Sequence, residues 1–304
     1  MKTDARVFPL QLTLGAAGVS GAAAALVVAA SAVHVSREAA HELDVAGVHL
    51  TYPALNAAAA LLLAFAALGA AVLVVALWAA WRQVRAHRRL LRLLVIERPL
   101  PEHHAVWVIA GGVPLAFCAG WLRPRIYVSA AAVERLSDEE LQAVLAHEQE
   151  HRRMRDPLRL AVGRILCEAL FFLPVLRPLH DRYGEVAELT ADAAAVAAAG
   201  GSPRPLAAAM LTFDAHTEGG GVGISPDRVD SLLGLPRAWK LPWALLVGAL
   251  FTVALVLVVV WRASAGASIQ ATLNLPIATS QPCVLVLALI PVIACMAGVI
   301  ARRG

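Results

Sequence analysis

Ala146-His147-Glu148-Gln149-Glu150-His151-Arg152 is the stretch on which the reading of this chain turns. It contains His-Glu-x-x-His, set in a run from Leu136 to Arg155 that has the composition of a helix. Two histidines at i and i+4 stand one above the other on a helix face, so their imidazoles can converge on a single metal ion. Glu148 lies beside the first of them, close enough to act on water at that ion. Neutral nitrogen ligands, a coordination position open to water and a carboxylate to take its proton are what a zinc hydrolase requires.

Two histidines on one helix leave a catalytic zinc short of its third protein ligand. Glu188-Leu189-Thr190-Ala191-Asp192 offers one, in an alanine-rich stretch from about Gly184 to Ala199 that also reads as helix. Glu188 and Asp192 are again i and i+4 and share one face. The spacing predicts Glu188 as the third ligand. Asp192, one turn on, is placed to accept the free ring N–H of a ligand histidine and so fix its tautomer. An isolated Glu-x-x-x-Asp is ordinarily a solvated acidic face. In the company of His-Glu-x-x-His it points to one zinc per chain, held by His147, His151 and Glu188, with Glu148 as the catalytic base. Glu150 has Arg153 as an ion-pair partner one helical turn on and is read as structural.

The run from Glu139 to His151, the arginine-rich Arg152 to Arg155, Asp156-Pro157-Leu158 and then Glu188-x-x-x-Asp192 together resemble the integral-membrane gluzincin peptidases. Two families share the pattern: M56, the BlaR/MecR-like antirepressor peptidases, and M48, the HtpX-like and CAAX-prenyl peptidases. Upstream, Ala116 to Ser129 is similar to both, and its Arg123-Pro124-Arg125-Ile126-Tyr127 core looks closer to M56, as does Glu168 to Pro174. The resemblance is close over residues 105–200; elsewhere it is confined to the pattern of membrane spans. It implies a zinc-dependent endopeptidase acting on cytoplasmic or membrane-proximal proteins. In M56 the implied substrate is a transcriptional repressor or the chain itself, and in the M48 alternative it is membrane protein under quality control. A non-catalytic scaffold with a structural zinc is the alternative of a different class. It would need a fourth protein ligand, and no further Cys or His has suitable spacing. M56 sensors that are complete carry an extracellular ligand-binding domain; this sequence has no Ser-x-x-Lys acylation motif, so no fused β-lactam sensor is expected.

Composition places the whole in a lipid bilayer. The chain is 59% hydrophobic and 16% charged, with mean hydropathy +0.68, far from ordinary globular usage. Four stretches reach the roughly 20 apolar residues a bilayer core requires: about Leu10 to Val33, Leu55 to Trp81, Leu241 to Trp261 and Cys283 to Ala301. The first is long and followed by a second, so it reads as a retained helix and not a signal peptide. Leu158 to Leu176 is also apolar but holds Arg159, Arg164 and Glu168, and reads as a buried or membrane-grazing helix of the catalytic domain. Lys2 and Arg6 precede the first span, Arg82, Arg85, Arg88, Arg89 and Arg92 follow the second, Arg237 and Lys240 precede the third, and Arg302 and Arg303 follow the fourth. The positive-inside bias makes these flanks cytoplasmic.

The expected protein is therefore mainly α, with four transmembrane helices and a cytoplasmic α+β zincin (gluzincin) domain inserted between spans 2 and 3. The expected boundaries are 1–82 for the N-terminal pair of spans, 83–240 for the peptidase domain and 241–304 for the C-terminal pair, in the inner or plasma membrane. Short loops at about 34–54 and 262–282 face outward. The net charge of +4 and the pI near 9.2 come from arginines at membrane flanks. No nucleic-acid-binding motif accompanies them, so the expected partners are a protein substrate and the lipid bilayer.

Within the domain, Arg82 to Arg98 reads as a basic helix, and Ala105–Ala110, Leu115–Cys118 and Arg125–Ser129 as short strands of a small sheet or hairpin. In zincins generally, the strand beside the metal helix pairs with the substrate backbone. Ser137 is a predicted N-cap with Glu140 at the capping-box position, and Gly200-Gly201-Ser202-Pro203 ends the second metal helix. The glycine-rich Thr217 to Leu235 reads as a flexible linker or lid, and so as a candidate for self-cleavage. Cys118, Cys167, Cys283 and Cys295 show no Cys-x-x-Cys spacing and are read as packing residues. His180, Tyr183 and His216 are candidates to donate to the oxyanion of peptide hydrolysis, and spacing does not select among them.

Overall fold

Long apolar runs alternate in this chain with short β-branched ones, and the elements follow them. In the computed structural model, residues 6–31, 33–36, 41–45, 48–52, 54–55, 57–101, 103, 105–215, 242–266 and 269–272 are described. Helix α1 (Val7–Ser31) leads to strands β1 (Val33–Ser36), β2 (His41–Val45), β3 (Val48–Tyr52) and β4 (Ala54–Leu55), then to α2 (Ala57–Leu93). Strands β5 (Ile96–Pro99), β6 (Val106–Ile109), β7 (Ala116–Ala119) and β8 (Arg125–Ser129) follow. Helices α3 (Ala130–Arg135), α4 (Asp138–Met154), α5 (Asp156–Ala169), α6 (Leu176–Ala198) and α7 (Arg204–Asp214) come next, then α8 (Trp243–Gly266) and β9 (Ile269–Thr272). The chain is mainly helical, and it groups into two compact units.

One unit gathers Leu12–Ala80, Ile165–Leu176 and Trp243–Gly304. Its core is built from small residues of α1 (Ala25, Ala29) against Leu62 and Ala66 of α2 and Val260 and Ala263 of α8. Gly69 is required there: a Cβ would stand 2.5 Å from the carbonyl oxygen of Ala22, so only glycine lets α1 and α2 approach. Large apolar side chains such as Leu77, Val247, Phe251 and Trp261 are exposed, a pattern that lipid explains and water does not. Three helices are long and apolar enough to cross a membrane, Val7–Ser31, Ala60–Leu93 and Trp243–Ala263. The fourth expected span, Cys283 to Ala301, lies outside the described residues, as does the linker Thr217 to Leu235.

Two expectations need correction here. The segments read as plain outward loops carry strands: β2 and β3 pair antiparallel with Val45 opposite Val48, and β9 pairs parallel with β1 and antiparallel with β4. His41-Glu-Leu-Asp-Val and Val48-His-Leu-Thr-Tyr alternate with period two, the signature of a strand. The apolar stretch Leu158–Leu176 is not one helix of the catalytic domain. α5 ends at Ala169, and Ile165–Leu176 group with the apolar helices, where Gly15 and Gly18 leave room for the side chains of Leu166 and Leu170.

The other unit gathers Met1–Gln11, Trp81–Arg164 and Arg177–Pro242. Its four-stranded sheet has the order β5-β6-β8-β7, with β6 and β8 parallel and both outer pairs antiparallel, so β7 is an edge strand. Strand β5 falls where a continuing basic helix was expected. The β-branched Val95-Ile96 and the following Pro99 end helical structure, and an edge strand tolerates the proline. Ile126 and Val128 turn to one face of the sheet, against Val144 and Leu145 of α4, and Tyr127 turns to the other, beside Leu91 and Leu94.

Ser129 joins these layers. Fully buried, it caps α3 by accepting the amide of Ala132 at 3.1 Å, and it also accepts the amide of Leu115, just before β7, at 3.0 Å. Each buried donor left unpaired costs about 1–3 kcal/mol. Ser129→Ala is therefore expected to destabilise the protein by about 2 kcal/mol or more. Ser137→Ala, at an exposed cap, should cost about 1 kcal/mol or less. Thermal unfolding of the two variants in detergent makes the comparison, and equal losses would contradict this role for Ser129.

Candidate metal centre

Helix α4 begins as its sequence requires. Ser137 accepts from the Glu140 amide, and the Glu140 carboxylate accepts from the Ser137 amide at 2.9 Å, closing a capping box. The helix ends at Arg155, which adopts a left-handed conformation (φ 55°, ψ 40°), and α5 starts at once with Asp156. His147 and His151 therefore share one face of α4.

On that face the two Nε2 atoms stand 3.1 Å apart. Glu188, from α6, brings Oε2 to 3.7 Å from Nε2 of His147 and Oε1 to 3.6 Å from Nε2 of His151. One atom from each of the three residues lies within 4.8 Å of the others, so they could hold a metal ion together. Tetrahedral ligands at zinc, with bonds of about 2.0–2.1 Å, are separated by about 3.3–3.4 Å. The observed spacings bracket that value.

The far sides of both rings argue the same way. Nδ1 of His151 lies 2.8 Å from Oδ2 of Asp156, and Nδ1 of His147 lies 2.9 Å from Oδ1 of Asp192. The second approach has the distance of a hydrogen bond but not its alignment. A carboxylate only accepts, so the His151 ring donates from Nδ1 to Asp156 and turns its Nε2 lone pair toward the His147 ring. Two ring nitrogens 3.1 Å apart with the Glu188 carboxylate beside them form a donor set that fits zinc.

Asp192 lies beside the His147 ring, with Oδ1 at 2.9 Å from Nδ1. Asp156 was quoted in the sequence only as part of a family pattern, without a role. In an unbroken helix it would sit about 140° around the axis from His151; the reversal at Arg155 brings it back to the ring. Tyr183 donates its hydroxyl to Oδ1 of Asp156 and is therefore committed behind the site, not aimed at substrate. Among the described residues, neither Tyr183 nor His180 lines the cleft, and His216 lies outside them. Glu150 forms the expected pair with Arg153, two bonds of 2.6 and 2.7 Å.

The cleft encloses about 530 Å³. Edge strand β7 forms one wall through Leu115 to Cys118, α4 the floor, and apolar residues of α7, among them Leu206, Met210 and Phe213, face it from the far side. Glu148 opens into it. Burial raises the pKa of Glu148, the nearby histidines pull it down, Glu188 pushes it up, and the amide of Cys118 hydrogen-bonds to it and lowers it; the net direction is up. Burial pulls His151 down, but the bond to Asp156 and the charges of Glu148 and Glu188 outweigh it and carry the imidazole up. Burial, with Glu148 and Asp156 nearby, holds the Cys118 thiol protonated, at about 12.

A family model described as BlaR1 peptidase M56 matches residues 15–222. The chain belongs to the M56 peptidase family. That makes the family resemblance over α4 and α6 a membership, with zinc implied by the family and a membrane setting consistent with the three apolar helices. Comparison with curated proteins and with solved structures gave no match.

In this M56 peptidase, a Glu148 pKa above the unfolded value means that ionised Glu148 costs stability in the metal-free protein. The cost is absent below the unfolded carboxylate pKa and grows as pH rises through the folded one. Chelator-treated Glu148→Gln is expected to melt higher than chelator-treated wild type at neutral pH, with the difference closing toward pH 4. A wild type that melts higher at neutral pH would reverse the sign assigned to Glu148.

Proposed function

We propose that this M56 peptidase is a membrane-embedded zinc endopeptidase, with His147, His151 and Glu188 as ligands, Glu148 as the catalytic base and Asp192 orienting His147. The observation that carries the reading is the pair of Nε2 atoms turned toward each other at 3.1 Å with Glu188 beside them. Zinc at that position would supply a Lewis acid for the scissile carbonyl and lower the pKa of the attacking water. Glu148 takes the proton from water and returns it to the leaving amine, a role favoured by a pKa raised toward working pH. Asp156 accepts from Nδ1 of His151 and Asp192 stands 2.9 Å from Nδ1 of His147, an arrangement that favours the ligating tautomer of both imidazoles. The free edge of β7 supports binding of an extended substrate by strand addition.

Arginines 82, 85, 88, 89 and 92, at the end of the second apolar helix, favour a cytoplasmic active site in residues 83–240 of a four-span protein in the inner or plasma membrane. A site close to that membrane face reaches soluble proteins, membrane-proximal segments and the protein's own Thr217–Leu235. A transcriptional repressor or the chain itself is the substrate this reading favours.

Purified protein is expected to carry about one zinc per chain. His147→Ala, His151→Ala and Glu188→Ala should each lose it, and Glu148→Ala should keep the metal while peptide cleavage falls about 10²–10⁴-fold. Metal analysis of the four variants is the test; wild-type zinc in Glu188→Ala would remove the third ligand. Topology is checked separately. Reporters fused at Gly219 and after Gly304 are expected to score cytoplasmic and one at Asp44 external, and a cytoplasmic score at Asp44 would break the four-span arrangement.

A further inference from the structure

Asp156 carries a second bond that ligand orientation alone does not require. Its carboxylate is 3% exposed, with Oδ2 at 2.8 Å from His151 Nδ1 and Oδ1 accepting the Tyr183 hydroxyl. Tyr183, 6% exposed on α6, packs its ring 5.1 Å from that of Phe8 in the first turn of α1. Arg159 closes the group: it donates to the Tyr183 oxygen at 3.5 Å, and its guanidinium lies 5.3 Å over the Phe8 ring. The same turn of α1 is seated by Val7, 2% exposed, and by fully buried Gln11, which donates to the carbonyl of Gly163 at 3.4 Å. Gly163 makes that seat possible, since a Cβ there would meet Gln11 Oε1 at 3.0 Å and His180 Nδ1 at 2.6 Å. Residues 7–11, 156–163 and 183 all belong to one compact unit.

We propose that Asp156, Tyr183 and Phe8 form a positioning relay that ties His151 to the first turn of α1, so that the seating of this turn sets how firmly His151 grips a metal. The proposal rests on the assignment of His151 as a ligand. Its physical basis is the carboxylate plane. With a donor on each oxygen, Asp156 has one orientation in which both bonds are satisfied, and the His151 ring follows it. Removing the hydroxyl frees the carboxylate to rotate. Removing the Phe8 ring frees the tyrosine, and with it the guanidinium of Arg159. α1 is continuous from Val7 to Ser31 and is one of the three apolar helices, so the relay ends on an element built to cross a membrane. A tyrosine present only to fill space would need neither the aspartate nor the arginine.

The test uses the full chain in detergent with Tyr183→Phe, Phe8→Ala, Phe8→Leu and His151→Ala. The readouts are zinc affinity by chelator competition, the visible spectrum of the cobalt-substituted protein, kcat and KM separately, and melting of the metal-free form. Tyr183→Phe is expected to weaken zinc about tenfold, shift the cobalt bands and lower kcat with KM held. Phe8→Ala should move the same quantities in the same direction, and Phe8→Leu should restore them. Wild-type zinc affinity and cobalt spectrum in both Tyr183→Phe and Phe8→Ala would overturn the relay, as would a lowered metal-free melting temperature as their sole change. If His151→Ala keeps wild-type zinc, the ligand assignment itself falls and the relay goes with it. If His151→Ala loses zinc while Tyr183→Phe and Phe8→Ala do not, only the relay fails.

Discussion

Two imidazole nitrogens 3.1 Å apart must share either a proton or a metal ion between them. Much of the surrounding unit is arranged to sustain that juxtaposition. On the far sides of the rings stand Asp156 and Asp192, 3% and 1% exposed, with oxygens 2.8 and 2.9 Å from the two Nδ1 atoms. Carboxylates so deeply buried persist only when paired. Without a metal the cluster is rich in negative charge, and the His151 imidazole answers with a pKa raised in spite of burial. Proton and metal compete for the same lone pair, so the field that raises the imidazole pKa is also the field that attracts a divalent ion.

Small side chains recur on the buried part of α6. Ala187, Ala191 and Ala195 repeat every four residues as a buried stripe on α6, and Ala195 meets Ala143 of α4 in one cluster. The short side chain of Asp192, also on α6, reaches to 2.9 Å from the His147 ring. Glu188, one turn earlier, has the longer side chain and remains 41% exposed. On the proposed reading the contrast is functional: the buried carboxylate orients a ring, and the one at the edge of the cleft is the ligand.

What could be read from the sequence is what repeats at helical spacing. His147, His151, Glu188 and Asp192 were legible because i and i+4 pairs need nothing but a helix, and the capping box at Ser137 announced where that helix starts. Asp156 was hidden because its position depends on the left-handed turn at Arg155, and arginine gives no hint of such a conformation. Tyr183 was legible as a candidate but not in its role, since its partner lies 27 residues away in the chain. Strand β5 was masked by the arginines before it, whose helical run extends to Leu93 and no further. Apolar length alone predicted the first three membrane helices well, because length is nearly all a span requires.

Edge strand β7 serves the base as well as bounding the cleft. Leu115 accepts the amide of Ser129 at 2.9 Å, so by the alternation of an antiparallel pair Leu115, Phe117 and Ala119 face β8, while Ala116 and Cys118 face outward. One of those outward amides, that of Cys118, is already given to Glu148. On the proposed reading, an incoming substrate strand finds the amide of Ala116 and the carbonyls of Ala116 and Cys118 free of β8, but not the amide of Cys118. The register of the added strand is thereby tied to the position of the base. A slip by one residue would turn every substrate side chain to the opposite face, and a slip by two would set substrate against the bond that holds Glu148. On that reading the base and the binding edge are one piece of geometry, joined by the bond from the Cys118 amide to Glu148.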